Sequence, residues 1–268
     1  MGIITLLTDF GMQDEYVGVI KGVIYGINPK VRIVDLSHAI KPRDVLSAGY
    51  LLKSSYSFFP QGTIHMAVVD PGVGSRRNIL AADISGHLFL APDNGLLGPV
   101  LAKESLRSLV VLDAPDLYRQ PVSGTFHGRD IFAPVAAHLS LGMTVDKLGR
   151  PLKPGEISLL PVTEPAYNDQ GMLCGSIVRV DHFGNLITNL ELAQLVAKGF
   201  WEDPDNLVVQ VKGVNIKGIQ RCYADSPAGS LLVVLGSSNC LEIAVSMGSA
   251  AKKLKVQSGA CVLLSKKK

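Results

Sequence analysis

Over its first 150 positions the chain alternates short apolar runs with turn residues. Ile3–Thr8, Val31–Val34, Ile64–Val69, Leu88–Ala91 and Ser108–Leu112 are brief, apolar and bounded by turn formers, the pattern of buried strands. Between the first two, "DEYVGVIKGVIYGI" sets Val17, Ile20, Val23, Ile24 and Ile27 along one helical face. "RDVLSAGYLLKSSY" after Pro42 and "GRDIFAPVAAHLSLG" after His127 repeat that texture. Helices recurring between strands predict an α/β N-terminal domain with a mostly parallel sheet. From residue 149 to 171, "GRPLKPGEISLLPVTEPAYNDQG" is rich in proline and glycine and keeps no period, which places a boundary there. Residues 1–155 and 170–268 are read as separate domains. Past the boundary come "GSIVRVD", "NLITN", "NLVVQVKG", "NIKGI", "SLLVVLG", "CLEIAV" and "ACVLLS", with only "LELAQLVAKGF" helical. Short apolar segments parted by turns predict a small C-terminal antiparallel β-barrel domain.

Composition narrows the classes. With 268 residues and 47% hydrophobic content the chain can bury a sizeable core. No apolar run approaches the roughly 20 residues of a membrane helix, and "MGIITLLTDF" has neither a basic leader nor a cleavage site, so the expectation is a cytoplasmic protein with no membrane partner. The net charge of +3 rests on six lysines beyond Ile243, where there is no acid, leaving the rest of the chain at −3. That distribution gives no basic stripe and predicts no nucleic-acid partner. Cys174, Cys222, Cys240 and Cys261 have no close spacing, which argues against a zinc site or a disulfide scaffold and for reduced packing thiols.

Candidate chemistry begins with acids that close apolar runs: Asp9 in "LLTD", Asp35 in "RIVD", Asp70 in "AVVD" and Asp93 in "LAPD". In open α/β sheets that edge binds ligands, although aspartate also favours turns after strands. "DPGVGSRR" can turn through its glycines and return Arg77 to Asp70, either as a structural salt bridge or as a device that keeps a reactive carboxylate ionised and aimed. His127 in "TFHGRD" precedes a predicted helix start, where partial positive charge keeps the ring neutral; a lone histidine can equally be packing, the reading given to His38, His65, His87 and His138. "VDHFGNLITN" offers Asp181, Phe183 and Asn185, an inventory that suits an adenine with a cationic neighbour, or a β-turn closed by an Asx bond. P-loop, zinc-protease, nucleophile-elbow and complete dinucleotide motifs are absent from the sequence.

"TDFGMQDEYVGVIKGVI", "VVDPGVGSRR", "APDNGLLGPV", "TFHGRDIFAPVAAHLSLG", "VDHFGNLITNL" and "GSSNCLEIAV" together resemble the adenosine-forming S-adenosyl-L-methionine (SAM) hydrolases, also called SAM hydroxide adenosyltransferases, relatives of the SAM-dependent fluorinase and chlorinase. The resemblance spans nearly the whole chain. It implies a homotrimer with sites between subunits, and a reaction in which water attacks C5′ of the SAM ribose and methionine leaves. It places the catalytic Asp, Arg and His on Asp70, Arg77 and His127, the ribose carboxylate on Asp9, and the carboxylate near the methionine ammonium on Asp181. Phe183 and Asn185 fall on the adenine side, and Ser237, Ser238 and Glu242 on the barrel segment that lines the ligand. No cofactor is implied, because SAM is the substrate and displacement from a sulfonium needs no metal. Gly128 stands where the halogenases carry a small hydroxyl residue, and they lack the acid at Asp70. Asn239 and Cys240 depart from the glycine and aromatic common at those positions. Three alternatives stay open: halogenase-like adenosyl transfer to halide, a metal-dependent hydrolase built on the four aspartates, and a non-catalytic adenosine or SAM sensor.

Overall fold

Why the first apolar run is buried on both sides is visible in the computed structural model, which describes residues 2–102, 105–160 and 164–267. Residues 161–163 of the proline-rich stretch, and Lys268 of the terminal lysines, lie outside them. Two units divide the chain, residues 1–160 and 161–268. In the first, β1 (Ile3–Thr8), α1 (Tyr16–Ile27), β2 (Arg32–Ser37), α2 (Val45–Ser55), β3 (Ile64–Val68), β4 (Ile79–Ile84), β5 (His87–Pro92), α3 (Gly98–Leu101), β6 (Leu106–Leu112), α4 (Ala133–Ser140) and β7 (Gly149–Pro151) follow in order. The sheet runs β2-β1-β3-β5-β4-β6-β7. Alternate residues feed two cores: Ile4, Leu6, Met66 and Val68 pack with α1 and α4, while Leu7, Ala67, Leu80 and Phe89 pack with α2. A strand clad on both faces has no polar side, so it reads as continuous apolar sequence.

The expected mostly parallel sheet is corrected to a mixed one. Pairs β1–β2, β1–β3 and β3–β5 are parallel, whereas β4–β5, β4–β6 and β6–β7 are antiparallel. The cause is a hairpin in "ILAADISGHLFLAP": Ser85 and Gly86 both take positive φ, +51° and +83°, the two-residue turn that matches strand twist. Strand β4 is missing from the strands read in the sequence, and a strand joined by two residues to its neighbour can only run antiparallel to it.

Within this unit His65 is fully buried between Thr5 Oγ1, 2.8 Å from its Nδ1, and His87 Nδ1, 3.2 Å from its Nε2. Burial, with His87 beside it, pushes the His65 pKa down to about 3. The folded value lies below the ordinary 6.5, so the unfolded chain binds the extra proton between those limits. The stabilisation is complete above pH 6.5 and drains away as the pH falls towards 3. Urea midpoints should therefore fall steeply from pH 7 to pH 4, and His65→Gln should flatten that slope even though it lowers stability at neutral pH.

The second unit contains β8 (Ala166–Tyr167), β9 (Leu173–Val180), β10 (Leu186–Glu191), α5 (Leu192–Ala197), β11 (Leu207–Val211), β12 (Val214–Lys217), β13 (Leu231–Leu235), β14 (Cys240–Val245), α6 (Ala250–Leu254) and β15 (Cys261–Lys266). Its sheet runs β12-β11-β15-β9-β10-β14-β13 with every pair antiparallel, and β8 added on β9. Gln220, just after β12, donates its N–H to Val233 O in β13 at 2.7 Å, nearly closing the sheet into a barrel. Alternation fills it: Leu207, Val209 and Val211 of β11 point inward with Ile243, Val262 and Leu264. None of the four cysteines is joined in a disulfide among the described residues. The packing role holds for buried Cys240 but not for exposed Cys222 and Cys261, and the Cys174 and Cys261 sulfurs lie 3.5 Å apart across β9 and β15. Among the described residues no helix is long and apolar enough to cross a membrane.

Candidate active site

Strand β3 ends at Val68 and the chain turns through Asp70–Arg77. Val73 N donates to Asp70 O at 3.3 Å, and Ser75 closes the next turn on Gly72 O through its N–H and its hydroxyl, at 3.1 and 2.7 Å. Gly74 sits at φ +78°, and a Cβ there would fall on the carbonyl oxygen of Gly124. The turn brings the Arg77 guanidinium onto Asp70 as a fork: Nε donates to Oδ1 at 2.7 Å and Nη2 to Oδ2. Nη1 spends a hydrogen on Asn78 O at 3.1 Å. Both side chains are nearly buried, 4% exposed for Asp70 and 10% for Arg77. A two-point fork holds a carboxylate in direction.

His127 leads a π-helical turn, Gly128–Phe132, which runs into α4. Its Nδ1 lies 3.4 Å from Arg77 Nη2. Guanidinium only donates, so this nitrogen is the acceptor and the neutral ring carries its proton on Nε2. The ring is held below its ordinary pKa first by burial and then by the Arg77 charge, against the opposing pull of Asp70 and Asp130. Those two causes replace the helix start invoked from sequence.

Asp70 and His127 face a cavity of about 380 Å³ that Asp9, Phe10, Tyr16 and Phe126 also line. Phe10, Tyr16 and Phe126 meet edge to face with centroids 5.2 to 6.1 Å apart. The sequence reading passed over these rings, although Phe10 and Phe126 adjoin Asp9 and His127. Arg129 lies over Phe126 at 5.2 Å and forks onto buried Asp130 at 2.7 and 2.8 Å, while Asp130 Oδ2 accepts Ser123 N–H at 2.9 Å. That arrangement pins the segment carrying His127. At Gly128 a Cβ would stand 3.2 Å from Ile20 Cδ1 and 3.4 Å from ring atoms of Phe10 and Phe126, so the wall is closed there. Asp9 Oδ2 accepts the Arg43 N–H at 2.8 Å.

The four aspartates do not converge. Asp35 pairs with Lys21 at 2.6 Å and lies 3.2 Å from His38 Nε2, and Asp93 accepts from Ser158 N at 2.8 Å. Among the described residues, no group of three or more His, Cys, Asp or Glu is placed to hold a metal ion.

The second unit has its own hollow of about 880 Å³, lined by Arg179, Asp181, Phe183, Asn185, Tyr223, Ser237 and Glu242 among others. Gly184 N–H donates to Asp181 O at 3.0 Å, and the Asp181 carboxylate accepts Asn185 N–H at 2.8 Å and Asn185 Nδ2 at 3.0 Å, so the β-turn closed by an aspartate side-chain bond in "VDHFGN" is present and sits on the cavity wall. Gly184 at φ +86° lies against Ser249, leaving no room for a Cβ. The Phe183 ring is 74% exposed. Glu242 is buried and accepts Tyr223 O–H at 2.8 Å. Burial pushes its carboxyl above the usual range and Asp181 adds to this, opposed by the Tyr223 bond and Arg179. Tyr223 and Arg179 were not read from the sequence, where nothing local ties them to Glu242. Ser238 is not on the wall; its Oγ is buried and has no partner among the described residues.

A mixed α/β unit bearing an Asp–Arg–His cluster, followed by an antiparallel barrel with its own hollow, defines a two-domain enzyme class. The model of the SAM hydroxide adenosyltransferase N-terminal domain matches residues 4–149 and that of the C-terminal domain residues 175–263. The chain belongs to the SAM hydroxide adenosyltransferase family, as the resemblance in its motifs implied. It is 35% identical over 265 residues to an (R)-S-adenosyl-L-methionine hydrolase of Thermus thermophilus, covering 96% of this chain and 97% of that one. A protein of the same name from Salinispora arenicola is 34% identical, covering 96% and 95%. A fluorinase of Actinoplanes sp. is 28% identical over 74% of each chain. The crystal structure of an uncharacterized conserved protein from Thermotoga maritima superposes with a TM-score of 0.89 at 35% identity, covering 98% of this chain and 100% of that one.

Proposed function

We propose that the protein hydrolyses S-adenosyl-L-methionine to adenosine and L-methionine by in-line attack of water on ribose C5′. The observation that carries this reading is the Asp70–Arg77–His127 cluster, in which Asp70 and His127 line a cavity and Arg77 contacts both. Methionine departs from a sulfonium as a neutral thioether, so the leaving group needs no proton and no metal. What remains is to hold one water in line with the C5′–S bond. His127, with its proton on Nε2, donates to the water oxygen, and Asp70 takes the water's proton while Arg77 fixes its direction. The anionic Asp70 beside the nucleophile repels halide, which favours water over the halogenase-like reaction.

Asp9 holds the ribose hydroxyls, Asp181 faces the methionine ammonium, Phe183 and Asn185 take the adenine, and Ser237, Ser238 and Glu242 belong to the barrel's ligand segment. The N-terminal domain, 1–155, supplies the triad and the barrel, 170–268, completes the adenosyl site. We further propose a cytoplasmic homotrimer with sites between subunits; a native mass other than three times the 28.6 kDa chain would exclude it. The relatives' names specify the (R) form, so both sulfur epimers belong in the assay. Incubation with each epimer, products followed by chromatography, should yield adenosine and methionine in equal amounts, and 5′-halogenated adenosine should stay absent when halide is added. No adenosine above the enzyme-free control with either epimer would defeat the reading. Asp9→Ala should weaken adenosine binding by about 1.5 to 3 kcal/mol, the cost of charge-assisted bonds, with calorimetry as the measurement.

A further inference from the structure

His38 was read from sequence as packing, yet its surroundings give it a task. The segment Thr8–Gly11 carries Asp9 and Phe10 to the first cavity. Phe10 N–H donates to Thr8 Oγ1 at 3.2 Å, and Thr8 Oγ1 lies 2.8 Å from His38 Nδ1. Asp35 Oδ1 stands 3.2 Å from His38 Nε2, out of line for a hydrogen bond but close enough for its negative charge to hold the imidazole proton on that nitrogen, so Nδ1 accepts the Thr8 hydroxyl hydrogen. Asp35 is anchored in turn by Lys21 of α1. The backbone repeats the attachment: Gly11 N–H donates to His38 O at 2.8 Å, and Arg43 N–H reaches Asp9 Oδ2 at 2.8 Å. Thr8 and His38 are 1% and 5% exposed, too buried to touch a ligand themselves. A buried polar chain that ends on a solvent-side ion pair and begins at a site-bearing turn is a support for that turn.

We propose that His38 is a positioning residue which, through Thr8 and backed by Asp35, sets the direction of the Asp9 carboxylate towards the ribose hydroxyls. The proposal rests on the reading of Asp9 as the ribose ligand. It assigns the second strand-ending aspartate, Asp35, to orienting a ligand group rather than to binding.

The test is a double-mutant cycle read by adenosine calorimetry on wild type, His38→Leu, Asp9→Ala and the pair. His38→Leu should weaken adenosine roughly five- to twentyfold in the wild-type background and less than about twofold when Asp9 is already Ala. His38→Asn, which keeps an acceptor facing Thr8, should recover most of the loss. With SAM, His38→Leu should raise KM while kcat stays within about twofold. Additive losses, wild-type affinity in His38→Leu, or an Asp9→Ala protein with undiminished affinity would each overturn the proposal. If His38→Leu does not fold, Asp35→Asn carries the same cycle, and additivity there has the same meaning. Wild type that binds adenosine but leaves SAM intact would refute hydrolysis and leave the cycle informative about His38.

Discussion

Asp70→Asn lowers kcat by about 10²- to 10⁴-fold, the range of general-base assistance, while adenosine affinity stays within about twofold. The asparagine keeps one oxygen for the guanidinium but turns a donor where Arg77 offers another, so the fork opens and the acceptor for the water's proton is gone. His127→Ala gives a loss of the same size, because the water then lacks its second anchor. The double variant falls little further than either single one, as groups that act on one molecule of water fail together. Stopped assays over a pH series add a second readout. His127 must be neutral to keep Nδ1 open to Arg77, and its pKa is depressed below 6.5, so wild-type kcat persists below that pH and falls only as the ring protonates. In His127→Ala that limb is absent. Equal losses in kcat and adenosine affinity would show that the cluster holds ligand rather than water.

The sequence carried the triad because its members sit in short, dense motifs: an acid after a strand, glycines, then arginine, and a histidine beside an aromatic. What it could not separate was four aspartates in the same local setting. Asp9 and Asp70 line the cavity, whereas Asp35 is engaged by Lys21 and Asp93 by Ser158, partners 14 and 65 residues away. Apolar periodicity gave most strands and hid β4, because "NILAADI" follows the arginine pair and reads as part of the loop. The Ser-Gly turn was the available signal, and it decides half the sheet's polarity. In the barrel, Glu242 was read from its motif, but its partner Tyr223 lies in an irregular segment that no period marks.

Gly74→Ala is expected to cost about 10²-fold in kcat, the scale of a displacement near 1 Å in the reacting groups. The left-handed φ of +78° alone accounts for about 1–2 kcal/mol of destabilisation when a Cβ is added. The larger effect comes from position. The added methyl falls on the carbonyl of Gly124, three residues before His127, so relief requires the Asp70–Arg77 turn and the His127 segment to part. The 3.4 Å approach of Arg77 Nη2 to His127 Nδ1 is then the contact that lengthens. Gly62 is the control: it has a positive φ of +81° and open space around its Cβ position, so Gly62→Ala carries the backbone cost without the collision. Both variants lower Tm, and only Gly74→Ala lowers kcat at a temperature where each is fully folded. Wild-type turnover in Gly74→Ala would mean that close apposition of the two segments is not what aims the water, and that the order of Asp70 and Arg77 alone suffices.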